Sequence, residues 1–186
     1  MENSKLPKLK EELLELLQRQ ALKRGKFVLS SGITSSYYLD GRIITLTPCG
    51  AYLVASIILE MLKNKKIDAL GGPTLGADPI IGAIACLSHI NKIGLKTFIV
   101  RKLSKEHGMQ RRIEGPELNI NSRVVIVDDV ATTGKALIEA KQALDEIGVI
   151  VSEAIVIVDR LEGASENLEK VGCKLNPIFT IEDLGV

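Results

Sequence analysis

The stretch Val124-Val125-Ile126-Val127-Asp128-Asp129-Val130-Ala131-Thr132-Thr133-Gly134-Lys135-Ala136-Leu137 decides the fold. Its first four residues are all β-branched. So short an apolar run, changing to polar residues at Asp128, reads as a buried parallel strand. Past the bend Thr132-Thr133-Gly134, the residues Ala136, Leu137, Ala140, Ala143, Leu144 and Ile147 recur at helical spacing. Strand, acidic pair, Thr/Gly bend and helix in this order set two carboxylates and a row of free amides at the carboxyl edge of a sheet. That edge is where open α/β sheets bind ligands.

The chemistry follows from charge. The first N–H groups of a helix have no internal acceptors, and the helix dipole adds partial positive charge there, so the bend suits a phosphate. Gly134 lets the backbone come close. Asp128 and Asp129 can accept hydrogen bonds from vicinal hydroxyls or hold a hydrated divalent cation. Both features together suit a phosphorylated sugar. The plainer use of the same residues is an acid ending a strand and a threonine capping a helix.

Working outward, Leu6 to Ala21 reads as an amphipathic helix that Gly25 ends in the C′ manner. Lys26 to Arg42 reads as a hairpin of two short strands around a Ser/Gly/Thr turn, with Tyr37 and Tyr38 offering an aromatic face to a flat heterocycle. Pro48 to Lys63 is helical and Ile67 to Leu70 a strand. Next comes a Gly-rich turn, Gly71-Gly72-Pro73-Thr74-Leu75-Gly76, leading into a helix through Leu87. This turn matches neither the dinucleotide fingerprint nor the P-loop. Gly72–Pro73 is its candidate cis peptide.

Lys96 to Val100 is a strand that runs into the cation-rich loop Arg101 to Pro116, which holds Lys102, Lys105, His107, Arg111 and Arg112. A long aperiodic connection in this position reads as an active-site lid. Val149 to Val158 is a strand closing on Asp159-Arg160, Leu161 to Val171 a helix, Lys174 to Phe179 a last strand, and Thr180 to Leu184 a short turn. Strands alternating with helices imply an α/β fold with a mainly parallel central sheet flanked by helices.

Composition sets the outer limits. The 186 residues fit one domain, and a hydrophobic share of 46% supports a sizeable core. A net charge of +1 gives no basic field, so no nucleic-acid partner is expected. The three cysteines, Cys49, Cys86 and Cys173, show no metal-ligand spacing and no disulfide framework. With no signal peptide and no long apolar run, no membrane association is expected, and a cytoplasmic protein is.

Collected, these residues resemble the type I phosphoribosyltransferases, and within them the orotate phosphoribosyltransferase family. The stretch from Val124 to Ala136 is similar to the phosphoribosyl pyrophosphate (PRPP) motif of the whole superfamily. Three further segments narrow the likeness. Phe27 to Asp40 resembles the family's hood hairpin, Arg101 to Gly108 its catalytic loop, and Asp159-Arg160 with Glu162-Gly163 its orotate-side segment. The resemblance implies one phosphoribosyltransferase domain over 1–186, its small hood built by about 1–45 and the C-terminal region. It implies transfer of the phosphoribosyl group of PRPP to orotate, giving orotidine 5'-monophosphate and pyrophosphate, a step of pyrimidine biosynthesis.

Carried over residue by residue, the likeness implies that Asp128 and Asp129 face the ribose hydroxyls, with Asp129 among the catalytic residues. Ala131, Thr132, Thr133, Gly134, Lys135 and Ala136 would wrap the 5'-phosphate, and Thr74 would approach the pyrophosphate. Lys102 would contact pyrophosphate in its own subunit. Arg101, Lys105 and His107 would reach the diphosphate, some across a homodimer with shared active sites. Arg160 would pair with the orotate carboxylate, with Ser30, Tyr38, Leu39 and Thr132 around the base. Mg²⁺ would enter through PRPP and water near Asp128 and Asp129. Two positions depart from the family's pattern: Ser30 stands where many members carry lysine, and Lys135 where a small residue is usual.

Alternative readings are a phosphoribosyltransferase for another base and a PRPP-binding regulator. A purine has no carboxylate for Arg160, and a regulator would carry a DNA-binding helix-turn-helix or a basic face, which the sequence lacks. A receiver domain would carry its acids nearer the N-terminus, and an ATPase needs a P-loop.

Overall fold

Val124, Val125, Ile126 and Val127 are all fully buried, and alternate ones face opposite layers. Val125 and Val127 join Leu70, Ile155 and Ile157 in one core, whereas Val124 and Ile126 join Phe98, Ala154 and Val156 in the other. A strand covered on both faces must be apolar throughout, which is why no alternation appears in its sequence. Each such side chain is stabilising by about 1.5–3 kcal/mol relative to an exposed one. The computed structural model describes residues 5–28, 34–102 and 112–186.

In chain order the elements are α1 (Leu6–Leu16), β1 (Leu22–Val28), β2 (Thr34–Leu39), α2 (Arg42–Thr45), α3 (Pro48–Leu62), β3 (Ala69–Pro73), α4 (Ala77–Ile90) and β4 (Lys96–Val100). There follow β5 (Ile113–Glu114), β6 (Arg123–Ala131), α5 (Lys135–Asp145), β7 (Ile150–Asp159), α6 (Ala164–Lys170) and β8 (Leu175–Thr180). The six-stranded sheet has the order β5-β4-β3-β6-β7-β8, and every pairing in it is parallel except that of the short edge strand β5 with β4. Helices α1, α3 and α4 cover one face through Leu13, Ile57 and Ile84, and α5 and α6 cover the other through Leu137, Leu144 and Leu168. The expected α/β architecture with a mainly parallel sheet is the one observed.

The strand order fixes where a ligand can bind. From β3 the chain moves outward to β4 and β5, then crosses back to lay β6 on the other side of β3. The connections leaving β3 and β6 therefore diverge, and a crevice opens between their carboxyl ends. Among the described residues no helix is long and apolar enough to cross a membrane.

Several local expectations are corrected. The strand does not stop at Asp128. β6 runs on through both acids to Ala131, because Asp128, Val130 and Ala131 pair with Val156, Val158 and Asp159 of β7. Ile147 lies beyond the end of α5 and is exposed. The N-terminal helix is not ended by Gly25. It passes into a π-helical turn, Leu17–Ala21, and Leu22 turns directly into β1, where Gly25 lies beside a bulge at φ +152°.

Gly71-Gly72-Pro73 belongs to β3 rather than to the turn after it. A methyl at Gly71 or Gly72 would strike the Phe98 or Val127 carbonyl, so only glycine lets β3 sit this close to its neighbours. The cis peptide bond lies at Thr74–Leu75, not at Gly72–Pro73. In the cation-rich segment β5 pairs with β4, and residues 103–111 lie outside the described ones. α6 starts at Ala164 instead of Leu161, after left-handed backbone at Leu161 and Gly163.

Candidate active site

At the carboxyl end of β6 the backbone folds each acid back on the chain. Oδ1 of Asp128 accepts the Asp129 N–H at 2.9 Å, and Oδ1 of Asp129 accepts the Val130 N–H at 2.8 Å. These backbone bonds engage only one oxygen of each carboxylate. Asp128 and residues 130–136, together with Lys102, line a cavity of about 730 Å³. Gly134 stands at the helix entry in left-handed backbone (φ +76°), and α5 begins at Lys135, so the first amides of α5 open at the bend. The Lys135 side chain itself points to solvent and lies 3.8 Å from Glu139.

A second chamber of about 270 Å³ adjoins the first, since Lys102 and Val130 line both. Its walls include Asp129, Leu75 and Gly76 from the turn after β3, and Tyr38 and Leu39 from the hairpin. A methyl on Gly76 would run into Oδ1 of both aspartates, so the turn after β3 can approach the acid pair only with glycine there. This convergence closes the crevice between β3 and β6 into a cleft with the two acids on its dividing ridge.

The electrostatics of the ridge are strained. Burial pushes Asp128 well above its ordinary value, and the adjacent Asp129 charge pushes it further. Burial raises Asp129 too, opposed by its hydrogen bond from Val130 and by the Arg42 guanidinium. Asp78, in the first turn of α4, is likewise raised by burial, and its Oδ1 is buried without a hydrogen-bond partner among the described residues. Asp40 behaves oppositely: a bidentate pair with Arg42, at 2.9 and 3.0 Å, holds it below the usual carboxylate range. So concentrated a negative field calls for a ligand that brings hydroxyl donors or a cation.

Arg160, just past the end of β7, lines neither chamber and adjoins the cleft through Ala131, which lines the larger one. Its backbone N–H donates to the Ala131 carbonyl at 2.9 Å. Its Nε donates to the Tyr37 hydroxyl at 3.0 Å, its guanidinium lies 5.0 Å from the Tyr37 ring centroid, and Nη2 is 2.7 Å from Glu162. Arg160 thus joins the sheet rim to the hairpin.

The remaining candidates fall elsewhere. Thr74 donates its N–H to the Val100 carbonyl at 3.1 Å and lines neither chamber. Arg101 also lines neither, and forms an ion pair with Glu114 at 3.3 Å. Ser30, Lys105 and His107 lie outside the described residues. Sequence reasoning gave Arg42 no site role, named Gly76, Asp40 and Glu162 only as members of longer segments, and read Tyr37 only as part of an aromatic face. The signal available for Asp40 and Arg42 was their spacing, an acid two residues before a base at the end of a strand.

Residues 48–182 match the phosphoribosyl transferase domain family. An orotate phosphoribosyltransferase from a Nostoc species is 43% identical over 176 residues, covering 95% of this chain and 85% of that protein. The chain belongs to the orotate phosphoribosyltransferase family. Among solved orotate phosphoribosyltransferases, the Mycobacterium tuberculosis enzyme with Fe(III) dicitrate superposes with a TM-score of 0.84 at 36% identity, over 96% of this chain and 99% of that one. The same enzyme in complex with 5-phospho-α-D-ribosyl 1-diphosphate superposes with a TM-score of 0.80 at 33% identity, again over 96% and 99%. Those enzymes thus share the overall fold of this chain.

Proposed function

We propose that this chain transfers the phosphoribosyl group of PRPP to orotate, releasing pyrophosphate, with the two-chambered cleft as its active site. The observation that carries this reading is the acid ridge with an amide-lined bend on one side and an aromatic wall from the hairpin on the other. The bend suits the 5'-phosphate, Asp128 and Asp129 suit the ribose hydroxyls, and Tyr38 and Leu39 suit a flat base. Arg160 supplies the charge that a carboxylate-bearing base requires and that a purine leaves unpaired.

Displacing pyrophosphate from an anomeric carbon needs charge stabilisation more than a nucleophilic side chain. The ring nitrogen of the base attacks, the C–O bond to pyrophosphate breaks, and positive charge develops at the sugar between the two events. The ionised acid pair stabilises that charge from the ridge. Lys102 lines both chambers and so suits the leaving diphosphate. Lys105 and His107 would add charge from the lid and exclude water. Arg101 and Thr74, which line neither chamber, would act on the diphosphate from the rim or across a subunit boundary.

The donor set also fits Mg²⁺ brought in with PRPP. Among the described residues no three His, Cys, Asp or Glu side chains are placed to cage a metal, and the acids of the ridge, with only one oxygen each engaged by the backbone bonds, suit a hydrated ion. Bound there, Mg²⁺ would neutralise the leaving group.

The domain reading is 1–186 as one unit whose hood includes the C-terminal end. In support, Gln18 and Arg24 donate to the Leu184 and Gly185 carbonyls at 3.4 and 2.9 Å. Exposed Leu46 and Leu75, the latter lining the smaller chamber, support a homodimer. Three free cysteines fit the reducing cytoplasm.

The test is incubation with Mg²⁺, PRPP and, separately, orotate, uracil and hypoxanthine. Loss of orotate absorbance with no reaction of the other two is the expected result. Turnover of hypoxanthine instead would overturn the assignment.

A further inference from the structure

Tyr37 and Tyr38 are sequence neighbours on β2 and so point to opposite faces of the hairpin. Tyr38 is exposed to the smaller chamber, whereas Tyr37 turns inward against the core of the sheet. The inward residue looks like packing alone, but its polar end has a definite partner. Its hydroxyl accepts the Arg160 Nε–H at 3.0 Å and its ring lies 5.0 Å under the same guanidinium. The Arg160 side chain is only 12% exposed, so its orientation is set by protein contacts rather than by water.

We infer that Tyr37 is a positioning residue for Arg160, and through it sets the affinity and selectivity for a carboxylate-bearing base. This rests on the reading of the cleft as an orotate site. A planar guanidinium recognises a carboxylate well only when its fork is presented edge-on. The Tyr37 ring fixes the plane, the hydroxyl fixes rotation within it by holding Nε, and Glu162 holds Nη2 on another corner. Nη1 has no recorded partner among the described residues and is the corner left for a ligand. The backbone cannot supply this orientation, because its bond to Ala131 fixes only where the side chain starts. The hydroxyl is carried by the hairpin and the arginine by the sheet rim, so base affinity depends on how the hairpin seats.

The decisive variant is Tyr37→Phe, which keeps the ring and the packing and removes only the acceptor for Nε. The expected result is a KM for orotate raised about tenfold, equivalent to about 1.4 kcal/mol, with kcat and the KM for PRPP within twofold of wild type. The preference for orotate over uracil should narrow by a similar factor, since uracil has no carboxylate for Arg160. Tyr37→Leu, which also loses the ring, should raise the orotate KM further. A purely structural role would move both KM values and the melting temperature together. Unchanged orotate KM in Tyr37→Phe, with an active wild type, overturns the positioning role alone. A wild type that never uses orotate overturns the cleft reading and this inference together.

Discussion

The rim of the six-stranded sheet and the hairpin beside it form two walls of one cleft by opposite physical means. At the rim, the acid pair ends a strand whose four preceding residues are fully buried between two cores. Asp128, Val130 and Ala131 pair with β7, and the carboxylates are fixed by the chain's own amides. The hairpin has only two strands, a bulge between Arg24 and Phe27, and largely half-exposed side chains along β2. A tilted Phe27–Tyr38 ring pair, centroids 5.9 Å apart, ties its two strands together, and among the described residues the Tyr37–Arg160 contact and the reach of Arg24 to Gly185 tie it to the rest of the chain. Two strands alone are marginal in water, so the hairpin takes its order from what it docks on. On the proposed function, the rim is preorganised for charge that develops in the transition state, and the hairpin for adaptable recognition of a base. Rim changes should therefore act on turnover, and hairpin changes on base affinity.

The largest effect is expected at Lys105, which lies outside the described residues. Lys105→Ala removes a cation assigned to the departing diphosphate. By comparison with loss of one oxyanion-hole donor, turnover should fall by about two to three orders of magnitude. Steady-state kinetics at saturating PRPP and orotate measure this. Near-wild-type turnover sinks the lid assignment and leaves the rim to act alone.

Next is Asp128→Asn, which separates function from stability. Removing an ionised acceptor for a substrate hydroxyl should lower kcat/KM about 10- to 100-fold, from the roughly 1.5–3 kcal/mol of a charged hydrogen bond. The unliganded fold should respond in the opposite sense. A carboxyl raised above its ordinary value of 3.8 holds its proton more tightly when folded than when unfolded. The stability it lends is full below 3.8 and is lost as pH rises through the higher folded value. Asparagine has no such loss. The two melting curves should coincide below about pH 3.8, separate as pH rises from there to Asp128's folded value, and stay apart above it. By neutral pH the variant should be ahead by about 2–4 °C, for roughly 1 kcal/mol in a chain of this size. A gap that does not vary with pH would break the picture of a charge-strained rim.

On the hairpin side, Tyr38→Ala should raise the KM for orotate about tenfold while kcat changes less than threefold, on the roughly 1–3 kcal/mol scale of aromatic stacking on a base. A fall in kcat with no change in KM would show that the hairpin is as preorganised as the rim.

The two walls also differ in how far they could be read from sequence. The rim announces itself because one short segment carries everything it needs: four buried β-branched residues, two acids and a Thr/Gly bend. Its exact end was hidden, since pairing with β7 carries the strand past the acids and no local propensity registers a tertiary partner. The hairpin was legible as a hairpin, but the division of labour between Tyr37 and Tyr38 was not. Which tyrosine turns inward depends on a bulge that shifts the register, and Arg160 lies 123 residues away. Gly76 was hidden for a similar reason: what makes glycine necessary is a pair of carboxylates brought in from another strand.

The smallest effect tests how the bend grips a phosphate. Lys135 is the one cation within residues 131–136. Its side chain is 82% exposed and lies 3.8 Å from Glu139 one helical turn on. A solvent-facing lysine whose charge is half-committed to a neighbour adds little to a site already lined by amides, and salt screens what it adds over about 8 Å at physiological ionic strength. Lys135→Ala should therefore raise the KM for PRPP less than threefold, and the difference should shrink as salt is increased. Amides, which carry no net charge to screen, would keep the rest of the affinity. A tenfold rise that persists at high salt would mean that this rim holds its phosphate by a side-chain cation, and the contrast between a fixed backbone wall and an adaptable side-chain wall would no longer stand.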